Sequence, residues 1–317
     1  MKRKIQISLR ISIAVAAYVF IAVKIGFSGI ARIFDVVIGS FNSTNLFWFS
    51  LIIALMPAVW ALEAVKWRKS ISIFIKVSFL RSWRSVWYGV VAGQLTPNRI
   101  GEPVGRIALI DEEVRGKAGI AAIWCSFTQQ IATILFGLLS IYWWLGVKKL
   151  AVLPAEMPLW LVISFILIWV GFMLYLIFDG KRIAHWFEGF GWIKNLLHGE
   201  KLDFSFSVFV ILFVQTISIL RYLIFSTQYV LLLKLFGVNC STIDLYAVVG
   251  LTYLFSSFIP SFSVSEVGIK AGFAIWFAGM ISNNAVGVTA ASLIIWILNL
   301  AVPALIAAWF PWRDSEK

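Results

Sequence analysis

Apolar residues fall in runs of about 20, the helix length that crosses a hydrocarbon core of roughly 30 Å. These runs lie at 7–27, 46–66, 118–145, 157–179, 204–235 and 286–310. Two further stretches, 84–110 and 244–281, are apolar but interrupted by proline, glycine and charge. The pattern predicts an all-α polytopic membrane protein with six full transmembrane helices and two broken, re-entrant hairpins, eight hydrophobic segments in all. A single integral membrane domain then occupies 1–317, in halves near 1–150 and 157–312. Composition agrees: 61% of the 317 residues are hydrophobic and 13% charged, where a soluble domain has roughly 45–50% and 25%. Met1-Lys2-Arg3-Lys4 precedes the first run as in a secretory signal, but the run is long, carries Lys24 and lacks a small-residue cleavage site. It reads as a retained first helix.

The net charge of +12 would point to nucleic acid in a soluble chain. Here it is expected to reflect cytoplasmic loops and anionic lipid, with no nucleic-acid partner. With the N-terminus inside, the cytoplasmic segments hold 18 Lys and Arg and the outer segments four, Arg32, Lys148, Lys149 and Lys234. Five more sit at membrane depth: Lys24, Arg99, Arg106, Arg221 and Lys270. That bias survives only if 84–110 enters and returns on the cytoplasmic side. If it crossed instead, the loop with Lys181, Arg182, Lys194 and Lys201 would lie outside. Both termini are therefore expected in the cytoplasm, in a cytoplasmic (inner) membrane. For 244–281 charge does not separate an outer re-entrant hairpin from two ordinary spans. The basic and apolar segment Lys66–Arg84 is expected along the cytoplasmic interface.

The two broken stretches echo each other. "WYGVVAGQLTPNRIGEPVGRIALI" from Trp87 and "LYAVVGLTYLFSSFIPSFSVSEVGIKAGF" from Leu245 both run from an aromatic and a Val-Val patch to a proline. Each then reaches a polar turn and a Glu with a basic residue four later. Pro97 and Pro260 are 163 apart, while Glu102 and Glu266, like Arg106 and Lys270, are 164 apart. Hairpins entering from opposite faces would relate the halves as an inverted repeat, with broken helices meeting around a polar site near the midplane.

Glu63, Glu102, Arg106, Arg221, Glu266 and Lys270 lie in or beside apolar segments, where an unpaired charge costs several kcal/mol. Glu102 with Arg106 and Glu266 with Lys270 share a helical face at i, i+4 and can neutralise each other. Arg221 in "SILRYLIFSTQY" needs a carboxylate or phosphate, and Glu63 is one candidate among several. The alternative for each is a structural ion pair. Gln94, Asn98, Gln129, Gln130 and Asn299 add uncharged polarity. Cys125 and Cys240 have no metal spacing, and His185 and His198 share one polar loop. No metal or cofactor is expected.

At "TPNRIGEPVGR", "IPSFSVSEVGIK" and "LEAVKWRKS" the sequence resembles the lysylphosphatidylglycerol synthase transmembrane region family, a flippase-like integral membrane domain, over essentially the whole chain. Pro97, Arg99, Gly101, Glu102 and Arg106 match its first motif, with Arg106 one place late. Pro260, Gly268 and Lys270 match the second, where Ala271 stands in place of a Glu and Glu266 lies upstream. The resemblance implies movement of lipids or lipid-linked sugars between leaflets. No aminoacyl-transferase domain is expected after Lys317.

The expected function is therefore a lipid flippase or transporter-like protein that binds an anionic phospholipid or polyprenyl-phosphate-linked substrate. Asn98, Arg99, Glu102, Arg106, Arg221, Glu266 and Lys270 form the candidate substrate site, since arginine donates two hydrogen bonds at once to phosphate. No GxxxxGK[ST] loop is present, so exchange would be passive or ion-driven. The competing reading is a membrane enzyme, or the accessory partner of one, acting on a lipid-linked substrate by glycosyl or phosphoryl transfer with Glu102 or Glu266 as base.

Overall fold

The computed structural model describes residues 19, 27–94, 96, 99–148, 159–178, 206–259, 261 and 263–308. Among these no strand occurs, and eleven helices follow in chain order. They are α1 (Phe27–Ser40), α2 (Leu46–Ile71), α3 (Phe79–Gln94), α4 (Gly101–Ile107) and α5 (Glu112–Tyr142, continued by a π-helical turn, Trp143–Val147). Then come α6 (Leu159–Phe178), α7 (Val208–Leu235), α8 (Thr242–Ser257) and α9 (Ser263–Ala278). The last two are α10 (Ala285–Trp296, continued by a π-helical turn, Ile297–Ala301) and α11 (Val302–Ala308). Four stretches are long and apolar enough to cross a membrane: α2, α5 with its π turn, α7, and α10 through Ala307. The architecture is that of an all-α membrane protein. Ile53, Leu167, Ile168, Leu212 and Leu305 are exposed on helix surfaces, where hydrocarbon rather than water is the compatible solvent.

The run at 46–66 extends to Ile71, that at 118–145 starts earlier at Glu112, and those at 157–179, 204–235 and 286–310 correspond to α6, α7 and α10–α11. Each interrupted stretch holds a pair of helices packed on each other, α3 with α4 and α8 with α9. Pro97, Pro260, the candidate site residue Asn98, most of the run 7–27, the loop with His185 and His198, and both termini lie outside the described residues.

One unanticipated helix and one correction emerge. The segment after the first run contains a helix, α1, whose Ile33, Val36 and Val37 pack on the core at the i, i+3, i+4 spacing of one helical face. Lys66, expected to begin a run along the lipid interface, is instead fully buried inside α2. It lies three residues after Glu63, on the same face, and that face is turned into the bundle.

Helix contacts repeat in the two halves. In the first, α2, α3, α4 and α5 pack in sequence and α2 also touches α5. In the second, α7, α8, α9 and α10 do the same, with α7 against α10. The halves join through α2 with α7, through α5 with α8, and through α11 with α3. Close approach within the first pair depends on glycine. A Cβ on Gly105 would run into the Tyr88 backbone carbonyl and come within 2.8 Å of Ala92 Cβ.

Two apolar clusters result. One is built on Trp60, Trp67, Val86, Trp87 and Trp124. The other contains Tyr229, Leu245, Val248, Ala274 and Ile295.

Candidate functional site

Charged side chains that could not be left alone in hydrocarbon converge where the halves meet. Glu63 on α2 is buried, and three cations surround it. Lys66 Nζ lies 2.8 Å from Oε2, Arg106 Nη2 2.7 Å from Oε1, and Arg221 Nη1 3.2 Å from Oε2. One carboxylate thus ties α2 to α4 and α7. Arg106 also pairs with Glu102 at 2.5 Å, and Arg99 Nε lies 3.8 Å from Glu102 on its other side. Lys66 donates to the Cys125 carbonyl at 2.9 Å and to Ser218 Oγ at 3.3 Å. Arg221 donates to Gln129 Oε1 at 3.1 Å and rests over the Trp60 ring, 5.1 Å from its centroid. On α9, Lys270 is bonded to Glu266 and sits 4.9 Å from the Tyr253 ring centroid.

Local sequence explains these placements. Thr96 Oγ1 accepts from the Gly101 amide at 2.7 Å, satisfying a donor at the start of α4. Arg99 has φ of +57°, a left-handed conformation that a side chain with a Cβ adopts at some cost and that clusters at functional sites. The first helical turn after this bend carries Glu102, and the next carries Arg106. Ser85 donates to the Arg106 carbonyl, holding α4 against α3.

Beside this network lies a cavity of about 310 Å³, at the lower end of small-ligand sites. Both halves line it. Arg99, Gln129 and Gln130 come from the first; Arg221, Tyr229, Tyr253, Ser256, Glu266, Lys270 and Ser292 come from the second. Asn299 joins them from the π turn after α10, an irregularity that often marks functional sites. Of the candidate residues, Arg99, Arg221, Glu266 and Lys270 line the wall. Glu102 and Arg106 stand behind it, joined to it through Arg99 and through Glu63 to Arg221.

Glu63 and Lys66 are the members that sequence reading left out of the site. The Glu-x-x-Lys spacing on an apolar helix was the available signal, but Lys66 opens a basic run that masks it. Tyr229, Tyr253 and Trp60 carried no signal distinguishing them from ordinary core aromatics.

Among the described residues no group of three or more His, Cys, Asp or Glu is placed to hold a metal. Compared with protein families, curated proteins and solved structures, the chain finds no match in any of the three.

Proposed function

We propose that this chain is a lipid or lipid-linked-sugar flippase or transporter-like protein of the cytoplasmic membrane, which takes an anionic head group into the cavity while the acyl or polyprenyl chains stay in the bilayer. One observation carries the reading. The cavity wall presents three cations, Arg99, Arg221 and Lys270, against one carboxylate, Glu266, inside a bundle whose outer surface is apolar. An excess of positive charge in such surroundings is costly unless an anion enters.

In this reading α3–α4 and α8–α9 are re-entrant hairpins entering from opposite faces. The matching helix contacts of the two halves support an inverted repeat, with the head group held where the broken pairs approach. The resemblance at "TPNRIGEPVGR" and "IPSFSVSEVGIK" supports the same role. Glu63 holds Arg106 and Arg221 in place, so that Arg221 meets the anion already oriented. Exchange proceeds by the head group crossing between the hairpins, one set of charge contacts replacing another.

The purified protein reconstituted in liposomes with fluorescent phospholipids tests this. Dithionite bleaching is expected to show leaflet exchange faster than in empty vesicles, and Arg221→Gln or Lys270→Gln is expected to slow it. Exchange no faster than in empty vesicles for anionic lipids and lipid-linked sugars alike, with turnover of a lipid substrate, would overturn transport in favour of an enzyme.

A further inference from the structure

We infer that the cavity is matched to a terminal phosphomonoester, a dianion, rather than to a phosphodiester or a zwitterionic head group. This rests on the head-group reading of the cavity and narrows it to one ligand chemistry.

Two features of the wall lead there. The first is charge. Three cations against one carboxylate leave two positive charges over. Adding the pairs behind the wall does not alter this: Lys66 and Arg106 bring two cations, Glu63 and Glu102 two carboxylates. The described network therefore keeps the same imbalance of two. A phosphomonoester carries about −1.5 to −2 at neutral pH and closes that gap. A phosphodiester carries one charge and leaves a cation without a counter-ion at membrane depth, while a zwitterion also places an ammonium against Arg99 and Arg221.

The second feature is the supply of hydrogen-bond donors. Five buried nitrogen donors on lining residues lack an acceptor: Arg99 Nε and Nη2, Arg221 Nε, Trp60 Nε1 and Trp296 Nε1. The 3.8 Å between Arg99 Nε and Glu102 is too long for a hydrogen bond. Against them, one buried acceptor on the lining, Asn299 Oδ1, lacks a donor. Buried donors of this kind are normally satisfied. A terminal phosphate presents three acceptor oxygens, where a diester presents two unesterified ones. The charge excess selects the monoester, and the residues of the same wall carry more unmet donors than unmet acceptors.

The test measures binding to the full-length protein in detergent by microscale thermophoresis, with three probes of equal chain length. These are dioctanoyl phosphatidic acid (monoester), dioctanoyl phosphatidylglycerol (diester) and dioctanoyl phosphatidylcholine (zwitterion). The expected order is monoester, diester, zwitterion, with the first two separated on the order of tenfold. Lys270→Gln lowers the charge excess to one and is expected to shrink that ratio severalfold. Glu266→Gln raises the excess to three and is expected to widen the ratio, so either variant alone decides the matter if the other folds poorly. Equal affinity for monoester and diester, or a ratio indifferent to both substitutions, overturns the inference. It leaves transport standing if anionic lipids still exchange in liposomes. Inorganic phosphate serves as the soluble arm. Weak competition places the phosphate on a lipid, whereas binding as tight as that of the lipid supports the phosphomonoester and counts against the head-group reading.

Discussion

Glu63→Gln removes the negative charge that binds two buried cations, Lys66 and Arg106, and the part-buried Arg221, while keeping the shape of the side chain. No space is vacated, so the loss is electrostatic rather than one of packing. Breaking a buried ion pair by deleting one partner costs about 3–5 kcal/mol, because the remaining charge stays uncompensated. Each cation keeps something here. Arg106 retains Glu102 at 2.5 Å, Lys66 retains the Cys125 carbonyl and Ser218 Oγ, and Arg221 retains Gln129 Oε1 and the Trp60 face. These residual partners place the expected loss at the lower end, about 3 kcal/mol. Equilibrium unfolding in mixed micelles by SDS titration, followed by tryptophan fluorescence, measures it. Glu63→Gln combined with Arg221→Gln removes one cation together with the carboxylate and should recover part of the loss. A loss under about 1 kcal/mol for Glu63→Gln, the range of an exposed pair, would refute the view that this carboxylate is the hub of α2, α4 and α7.

Gly105→Ala should cost about 1–3 kcal/mol by overpacking, since its Cβ meets the Tyr88 carbonyl, whereas Gly39→Ala, with nothing within 4 Å, should stabilise by about 0.5–1 kcal/mol through helix propensity; the same titration measures both. Asn284→Ala should lose about 1 kcal/mol or more, because the side chain caps α10 by accepting from the Gly287 amide at 2.9 Å and also donates to the Phe236 carbonyl at 2.9 Å. In a background lacking both native cysteines, a membrane-impermeant maleimide added outside should label Asn283→Cys and spare Glu113→Cys; labelling of both from one side would refute the inverted hairpins. In the wild type, Cys240 should react with maleimide more slowly than Asn283→Cys at pH 7 and catch up as pH rises. Burial and the Asp244 carboxylate push its thiol up, and Sγ donates to the Ile281 carbonyl at 3.3 Å. Equal rates at pH 7 would count against this.

The apolar runs determined most of the elements by themselves, because a segment in hydrocarbon must satisfy its backbone internally and the helix is the local way to do so. Prolines and the Glu-to-cation spacing likewise marked two places where continuous helix stops, and the i, i+4 pairs Glu102 with Arg106 and Glu266 with Lys270 formed as spaced, since their geometry is set within one helix. Arg221 with Glu63 could be named only as one pairing among several, because it joins α7 to α2 across 158 positions of chain. Lys66 shows the limit more sharply. Its neighbours Arg68 and Lys69 make it look like part of a solvated basic run, and only the packing of α2 against α5 and α7 turns the face it shares with Glu63 inward to the Cys125 carbonyl and Ser218. Helix α1, 14 residues long, was too short to register as a span. A polar site between the broken helices was implied by the prolines and charges, but the make-up of the cavity wall belonged to the tertiary structure. Its charge imbalance comes from which of eight scattered ionic side chains meet at one wall and which are neutralised behind it, a matter of helix rotation and contact that local patterning does not encode.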